Sequence, residues 1–166
     1  AQVLLARAFR DNPLNRAVIG RSPRRRFRAN LHGMRAHLPQ AERYGGGLSA
    51  RAEGRLVGVL SSTSPGAYPL PAPSPAVRFR CLLGQGFRVA HRWAKVYDLL
   101  RDHHPVERHW YLGTLGVDPA LWGRGIGTEL LSAWLRLVDA DAAPDYLETD
   151  AAGNIRFYER AGFEVV

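Results

Sequence analysis

The stretch that decides the fold runs from His109 to Asp139 and reads HWYLGTLGVDPALWGRGIGTELLSAWLRLVD. Its first part is aromatic and aliphatic up to Asp118-Pro119, which predicts a central β-strand over His109–Asp118. Its last part, from Gly125 to about Asp139, predicts a helix. The apolar residues of that helix fall on a single stripe, namely Ile126, Leu130, Leu131, Trp134, Leu135 and Val138.

The turn between this strand and this helix contains Gly123, Gly125 and Gly127 at alternate positions. Glycines leave no side chains in the way, so backbone N–H groups can point at an anion, and the positive end of the helix dipole adds to the attraction. The turn therefore predicts a phosphate-binding loop. The alternative interpretation is that the glycines serve only a tight connection between strand and helix.

Two familiar phosphate-binding loops fit this turn poorly. A P-loop requires a Gly-Lys-Ser/Thr sequence, and the turn contains no lysine. A dinucleotide-binding loop requires glycine at its sixth position, where Thr128 stands. Glu148 favours the dinucleotide interpretation, because an acid that binds ribose is expected about 20 residues further on. However, the chain after Glu148 is too short for a nicotinamide-binding half, so we reject that interpretation.

The rest of the chain predicts a mixed α/β sheet. Gly45-Gly46-Gly47 predicts an interruption of regular secondary structure. The proline-rich stretch Ser64–Pro75 predicts a loop over one end of the sheet, and a last strand is expected from Gly162 onward. The other predicted elements are a first helix containing Leu4, Leu5, Ala8 and Phe9, a basic helix containing Phe27, Leu31, Met34 and Leu38, a hairpin of Leu48–Arg51 and Arg55–Thr63, a helix over about Val77–Arg101, a strand over Tyr146–Thr149 and a helix over Asn154–Ala161.

Length and composition indicate a single globular domain, residues 1–166, with 46% hydrophobic and 23% charged residues. No apolar run approaches the roughly 20 residues of a membrane span, so no membrane partner is expected. The single cysteine, Cys81, excludes an intramolecular disulfide and a zinc cluster. We therefore predict a cytoplasmic protein without a metal.

The net charge of +8 comes almost entirely from arginine, with Lys95 as the only lysine. This bias is typical of a GC-rich bacterial genome. In the densest basic run, Arg21–Arg28, the side chains of Arg24, Arg25 and Arg28 fall off the apolar face of the basic helix. We therefore interpret the run as a solvated helix face and predict no nucleic-acid partner.

Two motifs resemble those of the GNAT N-acetyltransferases. The first is Leu115-Gly116-Val117-Asp118-Pro119 followed by the glycine turn and Leu130-Leu131, which is similar to the family's acetyl-CoA motif, Gln/Arg-x-x-Gly-x-Gly/Ala. The second is Asn154, followed four residues later by Tyr158 and then by Gly162-Phe163. The resemblance implies a GNAT fold, in which helices flank a mixed, mostly antiparallel central sheet whose central strands splay to hold acetyl-CoA.

The blocks His109–Leu112 and Leu147–Thr149 are further similar to the subgroup that includes puromycin N-acetyltransferase. The resemblance implies acetyl transfer from acetyl-CoA to a primary amine of a small molecule, by direct attack in a ternary complex. A protein or peptide N-acetyltransferase of the same fold and a CoA-binding regulatory module without turnover are the alternatives. A homodimer is among the assemblies that the resemblance implies.

The resemblance also implies the residues that contact the coenzyme. Backbone groups of Leu115 and Val117 are expected to pair with the pantetheine arm. Trp122 departs from the pattern, because the family usually has Gln or Arg there. Asn154 is expected to be a helix N-cap that also touches the coenzyme. The full set of expected coenzyme contacts is Leu115, Gly116, Val117, Trp122, Gly123, Arg124, Gly125, Ile126, Gly127, Thr128, Asn154 and Tyr158.

The resemblance implies that Tyr158 is the general acid that protonates the coenzyme sulfur, the alternative being an aromatic residue of the core. Glu148 is the candidate base, because it lies near the end of the strand that flanks the acetyl group. A structural ion pair or a water chain remains an alternative for Glu148. The loop residues His104, Glu107 and His109 are weaker candidates for the base.

Trp110 and Tyr111 are the candidate acceptor contacts. Adjacent strand residues point to opposite faces, so one is expected in the acceptor pocket and the other in the core. The first strand and most of the closing hairpin of the family are expected to be missing from this chain.

Overall fold

The computed structural model describes residues 1–166 and consists of seven α-helices, four β-strands and one short 3₁₀ helix at Pro119–Leu121. The helices are α1 (Gln2–Ala8), α2 (Pro13–Ile19), α3 (Pro23–Tyr44), α4 (Pro75–Gln85), α5 (Phe87–His103), α6 (Ile126–Val138) and α7 (Ala152–Glu159). The strands are β1 (Gly45–Ala52), β2 (Arg55–Thr63), β3 (Trp110–Val117) and β4 (Asp145–Tyr146). None of the helices combines the length and the apolar character that crossing a membrane requires.

The four strands form one sheet in the order β1-β2-β3-β4. The pairs β1–β2 and β2–β3 are antiparallel, whereas β3 and β4 are parallel and paired only at Trp110–Asp145 and Tyr111–Tyr146. Beyond Tyr111 the two strands separate, so β3 has no strand neighbour on this edge over residues 112–117. The predicted α/β fold with a mixed, mostly antiparallel sheet is confirmed, and the sheet opens between its last two strands.

Helices cover both faces of the sheet. On one face the stripe of α6 forms the largest buried cluster, which consists of Leu60, Leu112, Leu130, Leu131, Trp134 and Val138. On the other face α1 and α3 pack against β2 through Leu4, Leu5 and Val59, with Met34 and Leu38 beside them. A bulge in β3 at Gly113 skips one residue of the pairing with β2, so the alternation of side chains reverses there. Residues of β3 therefore contact α6 on one face, through Leu112, and α1 on the other, through Gly116.

Four predicted features of the chain differ from the structure. The glycines 45–47 do not interrupt regular secondary structure, because they lie inside the edge strand β1, where the backbone comes close to β2: a Cβ on Gly47 would lie 2.6 Å from the carbonyl oxygen of Leu60. The helix predicted over Val77–Arg101 is two helices, α4 and α5, because Gly86 takes a positive φ of 85° between them. No strand follows Gly162, and β4 covers only the start of the predicted strand Tyr146–Thr149.

Arg26, in the middle of the basic run, is buried rather than solvated. Its side chain is 6% exposed and donates hydrogen bonds to the carbonyl oxygens of Arg10, Gly20 and Arg21 at 2.6–2.8 Å. It also forms an ion pair with Asp11 at 2.5 Å. These contacts fasten both connections that flank α2 to α3, whereas Arg24, Arg25 and Arg28 are exposed as expected.

We expect Arg26→Met to lower the free energy of unfolding by about 2–4 kcal/mol, because three buried carbonyl groups and a carboxylate lose a charged donor together. Urea denaturation followed by circular dichroism measures this. Arg25→Met, one residue earlier and exposed, is the matched control and should change the free energy by less than about 0.5 kcal/mol. Equal effects of the two substitutions would show that the Arg26 contacts contribute nothing specific.

Candidate active site

The glycine turn presents free backbone N–H groups at the start of α6. Gly123 and Gly125 have positive φ angles of 77° and 81°, and a Cβ on either would meet no atom within 4 Å. The N–H of Glu129 donates to the carbonyl of Gly125 at 3.0 Å, so the N–H groups of residues 126–128 precede the hydrogen-bond ladder of the helix. Because this helix end carries a positive partial charge, the turn can hold a phosphate group.

The open edge of β3 leads directly into this turn. A Cβ on Gly127 would lie 3.7 Å from the ring of Phe157 and 3.7 Å from a methyl group of Val117. The turn is thus in contact with both the end of β3 and helix α7. Gly116 packs its Cα against α1, since a Cβ there would lie 2.5 Å from Leu5. An extended ligand bound along β3 would therefore reach the turn at one end.

Trp122 ties the turn to the strand. Its indole N–H donates to the carbonyl of Val117 at 3.0 Å, while the side chain remains 61% exposed. Where Gln or Arg would present polar groups to the surroundings of the turn, Trp122 exposes an aromatic ring. Arg124 is exposed at the same turn.

Tyr158 projects from α7 into the neighbouring core. Its ring packs against the α6 cluster and lies 5.0 Å from the ring of Phe157 and 5.8 Å from that of Phe163, measured between centroids. Burial raises the pKa of Tyr158 to about 12. The phenol therefore keeps its proton at neutral pH and can donate it.

The prediction that Asn154 is the N-cap of α7 is wrong. The helix begins at Ala152 with Ala151 as its N-cap, so Asn154 already lies in the first turn. Its side-chain amide instead donates to the hydroxyl oxygen of Thr149 at 3.4 Å. Asn154 is exposed, so its side chain is accessible to solvent.

Glu148 lies two residues after β4, where the sheet opens, and is held by two side chains. Its Oε2 accepts a hydrogen bond from the hydroxyl of Tyr111 at 2.7 Å, and its Oε1 lies 3.2 Å from His104 Nδ1. His104 continues the contact, because its Nε2 lies 3.0 Å from His109 Nε2. The chain of contacts ends where His109 Nδ1 donates to the carbonyl of Glu107 at 2.6 Å.

Aromatic rings enclose this chain of contacts. Tyr68, from the proline-rich loop, stacks on His104 at 3.6 Å between centroids, and Tyr146 meets His104 edge-on at 5.1 Å. The side chain of His104 is 3% exposed, whereas that of Glu148 is 21% exposed. Burial lowers the pKa of His104, and the nearby Glu148 carboxylate opposes that shift. Glu148 is thus the accessible end of an otherwise enclosed group.

The chain is similar in sequence to known acetyltransferases. A model of the Acetyltransferase (GNAT) family matches residues 15–163. The chain belongs to the GNAT acetyltransferase family. A mycothiol acetyltransferase of Propionibacterium freudenreichii subsp. shermanii is 37% identical over 84 residues, which are 49% of this chain and 25% of that protein. The match thus spans about a quarter of the length of this relative.

A solved acetyltransferase structure shares the fold. A Corynebacterium glutamicum structure, described as histone acetyltransferase HPA2 and related acetyltransferase, superimposes with a TM-score of 0.65 at 22% identity, covering 98% of this chain and 77% of that chain. A GNAT family acetyltransferase from Brucella melitensis in complex with acetyl-CoA has a TM-score of 0.49 at 18% identity, covering 99% and 74%.

Acetyl-CoA, the coenzyme of GNAT enzymes, fits the residues present. The space that lacks any Cβ above Gly123 and Gly125 suits the diphosphate, and the unpaired edge at residues 112–117 suits the amide groups of the pantetheine arm. Leu115 and Val117 belong to this part of β3.

The two candidate acceptor contacts separate as the alternation predicts. Trp110 packs against the α6 core cluster. Tyr111 points to the other side and binds Glu148. Of the two residues, Tyr111 is therefore the one that lies on the same side as the candidate base, Glu148.

Sequence reasoning missed how the groups around Glu148 connect. The sequence presents His104 and His109 only as separate loop residues, and it gives no reason to place Tyr68 or Tyr146 beside Glu148. The signal for the histidines is their position in the short segment between α5 and β3, which leads to the edge where β4 pairs. For Tyr68, in an irregular loop, the sequence carries no comparable signal.

Proposed function

We propose that this chain transfers the acetyl group of acetyl-CoA to a primary amine of a small molecule. The observation that carries the proposal is the opening of the sheet between β3 and β4, with the glycine turn at one end of the gap and Glu148 at the other. Acetyl transfer from a coenzyme A thioester can use each of these features. The extended edge and the anion-binding turn position the coenzyme, and the proton acceptor serves the attacking amine.

The chain's own residues have distinct tasks in this proposal. The N–H groups of the turn, residues 123–128, hold the diphosphate, and the backbone of Leu115 and Val117 aligns the pantetheine arm. Bound acetyl-CoA supplies the thioester carbon that the amine attacks. Trp122 and Asn154 border the coenzyme from either side of the turn.

Two side chains move protons in the reaction. Glu148 takes a proton from the attacking amine, as the new C–N bond forms. Tyr158 donates its phenolic proton to the sulfur, as the C–S bond breaks. Burial raises the pKa of Tyr158 to about 12, so the phenol is protonated at neutral pH before the C–S bond breaks. The products are an amide and a free thiol, with one proton gained by Glu148 and one lost by Tyr158. Solvent then takes the proton from Glu148 and returns one to Tyr158, so both side chains regain their starting states.

Several features support a small amine as the acceptor. The blocks around Tyr111 and Glu148 resemble the subgroup that includes puromycin N-acetyltransferase. Aromatic rings of Tyr68, Tyr111 and Tyr146 surround the group that ends in Glu148, which suits a compact acceptor more than an extended chain. The 37% identical relative is a mycothiol acetyltransferase.

The proposal is tested by release of free thiol from acetyl-CoA across a panel of amines that includes aminonucleosides, aminoglycosides, polyamines and peptides. We expect turnover with at least one small amine and a melting temperature raised by about 5 °C at acetyl-CoA 100-fold above its Kd. Turnover with peptides alone would replace the small-molecule acceptor by a protein acceptor. Absence of any stabilisation by millimolar acetyl-CoA would overturn the proposal.

A further inference from the structure

We infer that Glu148, His104 and His109 act as one proton-accepting unit, in which the proton that Glu148 removes from the amine comes to rest on His104. The inference rests on the proposed function for the source of the proton. The unit itself rests on hydrogen-bond directions in the free protein. Below, these three side chains are called the Glu148 unit.

The direction of the hydrogen bonds is set at the His109 end. The carbonyl of Glu107 can only accept, so His109 Nδ1 carries the proton that is shared with it at 2.6 Å. A neutral His109 then has an unprotonated Nε2, which must accept. His104 Nε2, at 3.0 Å, therefore has to be the donor in that contact.

At the other end of the unit, the contact between His104 and Glu148 lacks one proton. With its proton on Nε2, a neutral His104 presents a bare Nδ1 to Glu148 Oε1 at 3.2 Å. A carboxylate oxygen has no proton to offer, so this contact is a hydrogen bond only if the unit holds one additional proton. That proton can lie on His104, on Glu148, or on His109 with His104 in its Nδ1–H tautomer. Tyr111 already donates to the other oxygen, Oε2, and cannot fill this role.

The Glu148 unit is therefore built to take up one proton. Without that proton, two acceptors face each other at 3.2 Å; with it, every contact in the unit is a hydrogen bond. With the proton on His104, the unit contains an imidazolium beside a carboxylate, which are attracted to each other. Glu148 is then again a carboxylate, although the proton has not left the protein.

The surroundings of His104 keep the proton loosely held. Burial lowers its pKa, so above that pKa the unit is free of the additional proton and ready to accept one. The other titratable groups that face His104 are Tyr68, Tyr111 and Tyr146, and burial raises the pKa of each, so they stay neutral. Arg101, one turn earlier on α5, is exposed and paired with Asp98 at 2.8 Å.

The unit stores the proton rather than passing it across the protein. Its inner end is a backbone carbonyl, which has no proton to hand on, and His109 is 7% exposed. Glu148 is the most accessible member. After the acetylated amine leaves, the proton returns from His104 through Glu148 to solvent, and the unit is reset.

The unit is tested first without coenzyme, by ¹⁵N NMR of the histidine rings across pH. We expect His109 to keep its proton on Nδ1 at neutral and alkaline pH. In Glu148→Gln the side-chain amide can donate to His104 Nδ1 and complete the contacts with a neutral ring, so the pKa of His104 should fall by about one unit. A His109 proton on Nε2 in the neutral ring, or a His104 pKa unchanged in Glu148→Gln, would overturn the inference.

Kinetics test whether the stored proton matters in turnover. His104→Phe keeps a ring for Tyr68 to stack on but removes both nitrogens. We expect about a tenfold lower kcat and an acidic limb of the pH–rate profile shifted to lower pH, with unchanged acetyl-CoA affinity. His103→Phe, the exposed neighbour, is the matched control, and His109→Phe replaces His104→Phe if that variant does not fold.

A pH–rate profile of His104→Phe that matches the wild type would overturn the proton-storing role. The two experiments distinguish failure of the proposed function from failure of the unit. If the wild-type protein releases no thiol with any amine, the proposed function fails and the kinetic experiment cannot be carried out. The NMR titration reads the unit itself in either case.

Discussion

Gly125→Val is expected to weaken acetyl-CoA binding by about 100-fold, a loss of about 2.7 kcal/mol. Two causes act together. The branched side chain of valine would occupy the open space beside Gly125, where no atom lies within 4 Å of a built Cβ. Valine is also disfavoured at the φ of 81° that Gly125 adopts. Isothermal titration calorimetry of the variant with acetyl-CoA measures the change.

The matched control for Gly125→Val is Gly54→Val. Gly54 has a φ of 75° and equally open space around its Cα, but it lies in the β1–β2 hairpin. Both variants therefore carry similar backbone strain, and only one of them carries it at the coenzyme. Equal loss of acetyl-CoA affinity in the two variants, or full affinity in Gly125→Val, would place the coenzyme elsewhere.

Tyr158→Phe is expected to lower kcat by about 10²–10³-fold while changing acetyl-CoA affinity by no more than about twofold. The phenylalanine ring preserves the packing against Phe157 and Phe163, so the substitution removes only the proton donor. Steady-state kinetics with the best amine of the panel, together with calorimetric binding of acetyl-CoA, separates the two quantities.

The pH dependence of Tyr158 gives a second readout. Burial raises its pKa to about 12, and a phenol is a donor only below its pKa. The wild-type kcat should therefore show no loss of the acid on the alkaline side up to about pH 10. Tyr44→Phe is the control for a tyrosine away from the site, and an unchanged kcat in Tyr158→Phe would remove the acid from the mechanism.

The parts of the fold that depend on local pattern could be predicted from the sequence. The aromatic strand gives β3 and the apolar stripe gives α6, each within one or two residues of its observed bounds. Both patterns are carried by neighbouring residues, so no knowledge of distant contacts was needed. The glycine turn between them follows for the same reason.

The features that the sequence did not predict depend on what lies next to a segment. The glycines 45–47 form a strand because β2 supplies hydrogen bonds to them. The residues after Gly162 form no strand, because no neighbouring strand supplies hydrogen bonds there. Arg26 differs from Arg24 and Arg25 only in facing carbonyl groups of a preceding turn. Composition of the basic run does not distinguish these arginines.

The candidate site divides in the same way. Glu148 and Tyr158 stand in recognisable motifs, whereas the partners of Glu148 come from positions 37 and 44 residues away along the chain. The end of α5 places His104 beside a strand that begins six residues later. Only the pairing of β3 with β4 makes these residues neighbours.

The unpaired edge of β3 has a consequence for the abundance of the protein. If acetyl-CoA pairs with residues 112–117, it serves as an additional strand, and loading completes a sheet that the polypeptide leaves open. Backbone amides on that edge would then exchange slowly with solvent only in the loaded protein. Proteases act mainly on open forms, so the lifetime of the protein in a cell would rise and fall with the supply of activated acetate.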